Sequence, residues 1–135
     1  MVVLAGGESR RFGSDKLAAP LAGTTVLDHL LGSLPQEWAV IAVGEQRPTP
    51  RPLTWTREYP PGGGPLAGIA AGLALVTTDL TAVVAGDMPY AVPGIRTLVD
   101  ALAAAGPDTA AAVAVDDEGH VNPLLAVYRT TAARD

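Results

Sequence analysis

A wholly apolar run, Met1-Val2-Val3-Leu4-Ala5, breaks without a polar spacer into Gly6-Gly7 and then into a segment holding Arg10, Arg11 and Lys16. A strand that is apolar at every position must be covered on both faces, which points to a largely parallel sheet between layers of helix. A glycine-rich loop at the end of such a strand frees backbone N–H groups for an anion. Lys16 is the only lysine, and only nine residues in all are Lys or Arg. Three of them in one loop imply a negatively charged ligand. The loop is neither of the two commonest nucleotide cradles. No Gly-x-Gly-x-x-Gly follows the strand, and Gly13 is followed by Ser14-Asp15-Lys16-Leu17, which lacks the spacing and the hydroxyl of a P-loop.

The rest of the chain alternates strand and helix patterns. Thr25 reads as the N-cap of a helix with Val26, Leu27, Leu30, Leu31 and Leu34 on one face, stopped by Pro35. Strands are expected at 39–43 and 53–56. A helix over 66–76 follows Pro60-Pro61-Gly62-Gly63-Gly64-Pro65, and a strand follows at 81–85. Pro93 opens a helix that ends near Gly106. Strands at 109–115 and 124–128 are joined by a short acidic turn at Asp116-Asp117-Glu118-Gly119, so one antiparallel strand is expected in an otherwise parallel α/β sheet.

Composition narrows the function. At 135 residues the chain suits one domain, and 48% hydrophobic residues exclude a disordered chain. A formal net charge of −5 argues against a nucleic-acid surface. No apolar stretch approaches the roughly 20 residues of a membrane span. With no cysteine there are no disulfides or thiolate metal sites. A soluble cytoplasmic protein is the expectation, with no membrane and no nucleic acid among its partners.

In open α/β sheets ligands bind beyond the C-terminal ends of the strands, and the candidate motifs fall there. Asp87, in Val83-Val84-Ala85-Gly86-Asp87-Met88-Pro89-Tyr90, stands just past an apolar strand. It reads either as a hard oxygen ligand for Mg²⁺ or as a helix N-cap. In Gly63-Gly64-Pro65-Leu66-Ala67-Gly68, small residues at a helix start let a nucleoside pack on backbone, or simply punctuate the chain. Asn122-Pro123-Leu124-Leu125-Ala126-Val127-Tyr128 reads either as a core strand with a proline at its first residue or as a strand whose leading Asn122 could touch substrate. His29 reads as a partly exposed helix residue and His120 as part of the acidic turn. Two histidines without spacing partners make no transition-metal site.

The run from Leu4 to Lys16 resembles the opening motif of the molybdenum cofactor guanylyltransferases, Leu-Ala-Gly-Gly-x-Ser-x-Arg-x-Gly-x-Asp-Lys, at every specified position. Gly-Asp-Met-Pro-Tyr and Gly-Pro-Leu-Ala-Gly resemble further elements of that family, and the likeness extends to Tyr128. The resemblance implies a Rossmann-like three-layer α/β/α sandwich. It also implies that GMP passes from Mg-GTP to the terminal phosphate of molybdopterin, with release of pyrophosphate. Arg11, Lys16 and Asp87 would be catalytic, and Asp87 would hold the Mg²⁺. Leu4, Ala5, Gly6, Gly7, Lys16, Glu58, Gly64, Pro65, Leu66, Gly68 and Asp87 would bind nucleotide. Tyr59 stands where the family carries an aspartate beside the base.

Partners implied are GTP, molybdopterin, other molybdenum cofactor biosynthesis proteins and acceptor apoenzymes. Gly6 favours this branch over cytidylyltransferases with Leu-Ala-Ala-Gly. Transfer from CTP, transfer of GMP to another phosphate, and a non-catalytic GTP-binding module remain the alternatives. Family members continue to a segment resembling Asp/Asn-x-Asn/Asp-Thr-Pro-Glu-Asp-Leu. The expectation is therefore one nucleotidyltransferase domain over 1–135 without that segment.

Overall fold

The computed structural model describes residues 1–6, 16–21, 23–58 and 64–134. The elements are β1 (Val2–Leu4), a 3-10 turn (Lys16–Ala18), β2 (Pro20–Leu21), β3 (Thr24–Thr25), α1 (Val26–Ser33), β4 (Ile41–Val43), β5 (Thr54–Thr56), α2 (Gly64–Leu73), β6 (Leu80–Ala85), α3 (Val92–Ala105), β7 (Ala111–Val115), β8 (Val121–Arg129) and α4 (Thr130–Arg134). Six strands form one sheet in the order β5-β4-β1-β6-β8-β7. β1 pairs in parallel with β4 and β6, and β4 with β5. β8 runs antiparallel to both β6 and β7. It is the single reversed strand that the acidic turn predicts, and β7 therefore points the same way as β6.

Two-residue alternation in apolar strands explains the layers. Val3 and Val84 face a core made with Leu27, Leu30 and Leu31 of α1 and Ile95 and Leu102 of α3. Their neighbours Val2 and Val83 face the opposite side, with Ile41, Val43, Leu73 and Val76. Since both faces are buried, the two strands are apolar but for Thr81 of β6, which is buried and shares a hydrogen bond with the Thr130 hydroxyl at 2.6 Å. On the second face α2 lies unusually close, because Gly68 and Gly72 present no side chain. A Cβ on Gly72 would stand 2.6 Å from Val2 Cγ1.

Local signals set the helix ends. Thr25 caps α1, its hydroxyl accepting from the Asp28 N–H at 3.1 Å, a contact worth about 1 kcal/mol. Gly106 ends α3 at φ +91°. The expected helix over 66–76 begins earlier, at Gly64, because Pro65 suits a first turn. Its regular ladder stops at Leu73, and tighter turns continue through Leu75 N–H to Gly72 O and Val76 N–H to Leu73 O. The strands expected from 39, 53 and 109 begin at Ile41, Thr54 and Ala111, whereas β8 is longer than 124–128. The hairpin of β2 and β3 is too short to show a period in sequence.

At the edge where α1, α2 and α3 end, three arginines bond to helix-terminal carbonyls. Arg51 donates to Leu34 O (3.3 Å), Pro35 O (3.1 Å), Gln36 O (3.3 Å) and Trp38 O (2.6 Å) after α1. Arg129 donates to Gly106 O (3.0 Å) and Thr109 O (2.8 Å) after α3. Arg134 donates to Leu73 O (2.8 Å) and to Val76 O after α2.

Candidate active site

The opposite edge of the sheet, where the parallel strands end, gathers the sequence-predicted site. Beyond the last paired residues the backbone ladder continues across it. Gly86 N–H donates to Leu4 O at 2.8 Å, Ala5 N–H to Val43 O at 2.8 Å, and Gly44 N–H to Thr56 O at 2.9 Å. Gly86, Gly6 and Gly44 thus follow three adjacent strands, β6, β1 and β4, and leave an edge without side chains. Gly44 sits at φ +149°, and a Cβ there would lie 2.6 Å from Ala5 O. Only glycine allows the end of β1 to pass so closely. Sequence reasoning missed Gly44; its signal was an apolar strand that breaks into glycine, the same pattern as Ala5-Gly6 and Ala85-Gly86.

On one side of the β1 end lie the phosphate and metal candidates. Leu17 is buried, and a Cβ on Gly86 would meet Leu17 Cδ2 at 3.2 Å and Leu27 Cδ1 at 3.3 Å. The bare Gly86 therefore lets the side chain of Leu17, the residue after Lys16, pack against the start of the Asp87 turn. Asp87 is exposed in a turn closed by Met88 N–H to Ala85 O at 3.1 Å. It caps no helix, since α3 has Ala91 at its N-cap. Among the described residues no three His, Cys, Asp or Glu side chains gather to hold a metal ion. An exposed single carboxylate fits Mg²⁺, which is commonly held by one or two carboxylates with phosphate oxygens and water. It does not fit a transition-metal cage.

On the other side lie the nucleoside candidates. Gly68 packs on β1 and β4, where its Cβ would stand 3.3 Å from Leu4 Cδ2, 3.5 Å from Val43 Cγ1 and 4.0 Å from Glu58 Oε2. Leu4, Glu58 and Gly68 are thereby brought together. Gly64 opens α2 at φ +86°, with Pro65 exposed and Leu66 79% exposed. An apolar side chain so bare, at the edge where ligand is expected, is suited to cover a flat ring. Gly7 and Arg11 lie outside the described residues, as does Arg10, and Lys16 is described by its backbone.

The β7–β8 turn reaches the same edge, because β7 is parallel to β6. Asp116 Oδ1 accepts from the N–H groups of Glu118 (2.9 Å) and His120 (2.8 Å), and these bonds hold its carboxyl below the usual aspartate range. His120 Nδ1 lies 3.2 Å from Asp116 Oδ2, so this histidine belongs to the turn, as expected. Pro123 is the third residue of β8, not the first. The register shift between Val113 and Ala114 leaves it without a partner on β7, so its missing N–H breaks no bond there. The Asn122 carboxamide oxygen accepts from Leu124 N–H at 3.0 Å.

A cavity of about 350 Å³ lies at the far edge, lined by Thr77, Thr78, Asp79, Arg129, Thr130, Thr131 and Arg134. None of the sequence-predicted site residues lines it, and both its guanidinium groups are bonded to helix-end carbonyls. No helix among the described residues is long and apolar enough to cross a membrane.

Known proteins resemble this chain in sequence and fold. Residues 1–135 match the profile of the MobA-like NTP transferase domain. A Mycobacterium tuberculosis H37Rv protein named a probable molybdenum cofactor guanylyltransferase is 41% identical over 141 residues, covering 98% of this chain and 68% of that one. A protein of the same name from Chloroflexus aggregans is 33% identical, covering 97% and 65%. The crystal structure of molybdopterin-guanine dinucleotide biosynthesis protein A from Archaeoglobus fulgidus superposes with a TM-score of 0.72 at 27% identity, covering 98% and 68%. The chain thus spans about two thirds of the length of these relatives.

Proposed function

The chain belongs to the MobA-like NTP transferase family of nucleotidyltransferases, and from that premise we propose that it transfers GMP from GTP to the terminal phosphate of molybdopterin. In this reading an oxygen of the acceptor phosphate attacks the α-phosphorus of GTP and forms a new P–O bond. The bond from that phosphorus to the oxygen bridging to the β-phosphate breaks, and pyrophosphate leaves with the electron pair. A phosphate monoester is already anionic, so the reaction needs no strong base. Its demand is for charge neutralisation and alignment.

The residues divide that work. Lys16, with Arg11, meets the charge that develops on the leaving pyrophosphate. Backbone N–H groups at Gly6 and Gly7 approach the nucleotide closely, while Leu4, Ala5, Glu58, Gly64, Pro65, Leu66 and Gly68 border the base and ribose. Asp87 would hold Mg²⁺, which when bound neutralises phosphate charge and makes phosphorus more electrophilic. The observation that carries the reading is the packing of Leu17 against Gly86. It ties the residue after Lys16 to the residue before Asp87, distant in sequence. The guanylyl and molybdopterin assignments are supported by the names of the curated relatives. Residues 1–135 are taken as one nucleotidyltransferase domain acting in the cytoplasm.

The test is pyrophosphate release with Mg²⁺ and molybdopterin, supplying GTP, CTP or ATP separately. Release with GTP alone is the expected result. Release with CTP would overturn the guanylyl assignment, and silence with all three while GTP still binds would reduce the chain to a binding module.

A further inference from the structure

The turn that carries Asp87 is fixed by backbone at its near end. Gly86 N–H donates to Leu4 O at 2.8 Å, Met88 N–H donates to Ala85 O at 3.1 Å, and Met88 packs against the core of the α1 face. Its far end is held differently. Tyr90 is 66% exposed, and its ring meets the ring of His29 on α1 edge to face, with centroids 5.0 Å apart and planes at 69°. α1 is also the element on which the Lys16 segment rests. Val26 N–H donates to Ala19 O at 2.9 Å, and Leu27 and Leu17 both meet Gly86. One helix therefore supports both halves of the phosphate side, Lys16 through apolar packing and the Asp87 turn through a ring pair.

We propose that His29 and Tyr90 are positioning residues, whose edge-to-face pair sets the Asp87 turn against the Lys16 segment. The inference rests on the reading of Asp87 as metal ligand. Neither ring is asked to touch the reacting atoms. An exposed aromatic contributes little to the core, so this contact has more to do with where the turn sits than with whether the chain folds. The edge-to-face geometry needs a ring at each position and no hydroxyl or imidazole nitrogen.

That requirement makes the test specific. GTP affinity of the full chain is measured by calorimetry with Mn²⁺ and again with EDTA, and the gain conferred by metal is the readout. Tyr90→Ala and His29→Ala should each lower that gain about tenfold, the usual loss when a residue supporting a metal ligand is removed. Metal-free affinity should be unchanged, and the double variant should be no worse than either single one. Tyr90→Phe and His29→Phe should restore the gain, and Tyr90→Leu, which keeps bulk without a ring, should not. An unchanged metal-dependent gain in the alanine variants would overturn the proposal, as would equal losses with and without metal. Asp87→Asn separates the two levels. If it abolishes the gain while the ring variants do not, the positioning role alone fails; if it leaves the gain intact, the reading of Asp87 fails and the proposal falls with it.

Discussion

The two edges of the sheet meet helix termini of opposite polarity. Where α1, α2 and α3 end, Arg51, Arg134 and Arg129 bond to backbone carbonyls. None of these helices has a basic residue in its own last turn. The cations come from other parts of the chain and answer the partial negative charge of the helix C-termini. Where the parallel strands end and the helices begin, the backbone offers N–H groups instead, and glycines keep side chains away. Carbonyls accept from guanidinium groups at the first edge; at the second, the positive ends of the helix dipoles face outward. In a chain of net charge −5, helix polarity thus favours an anion at the second edge.

That contrast can be broken by substitution. The largest effect is expected from Lys16→Ala, with a loss of about 10²–10³ in kcat, comparable to removing a donor from an oxyanion site. GTP affinity should fall less, and the melting temperature should not move; an unchanged kcat in pyrophosphate release would remove Lys16 from the reaction. Arg51→Ala should do the reverse. It should lower stability by about 2 kcal/mol in urea unfolding, because four carbonyls at the end of α1 lose a charged donor, with kcat preserved. Gly44→Ala sharpens the comparison, since it lies at the ligand edge yet is fixed by packing. The Cβ collides with Ala5 O, so about 1–3 kcal/mol of stability should be lost, together with a raised KM for GTP.

The smallest effect is expected at the β7–β8 turn. The depressed carboxyl of Asp116 contributes fully above the ordinary aspartate value of 3.8 and loses that contribution as pH falls through its lowered folded value. Amide signals of Glu118 and His120 followed by NMR should shift in that acid range, and Asp116→Ala should abolish the transition.

Much of this was legible because period and punctuation carried it. The double-faced apolar strands gave the layered sheet, Thr25 and Pro35 bounded α1, and the acidic turn gave the reversed strand. Asp87 fell at the C-terminal edge of the strands because a residue that follows a parallel strand must lie there. What could not be read was pairwise and distant. No local pattern tells that Gly44 passes under Ala5, that Leu17 lies under Gly86, or that Arg134 reaches Leu73. The β2–β3 hairpin escaped for another reason: strands of two residues have no period. Pro123 suggested a strand start, and only the register shift beside it shows how a proline sits within a strand paired on both sides.

The arginine contacts also impose a timetable. A helix end cannot be capped by a residue that has not yet been made. During synthesis α1 waits only 13–17 residues for Arg51, whereas α2 waits 58 or 61 for Arg134. The β1–α1–β4 unit can thus close while the rest of the chain is still emerging from the ribosome. α2, whose first turn borders the nucleoside candidates, gains its last restraint after every strand has been made. Order of completion in this fold follows the sequence position of three guanidinium groups as much as the order of the helices themselves.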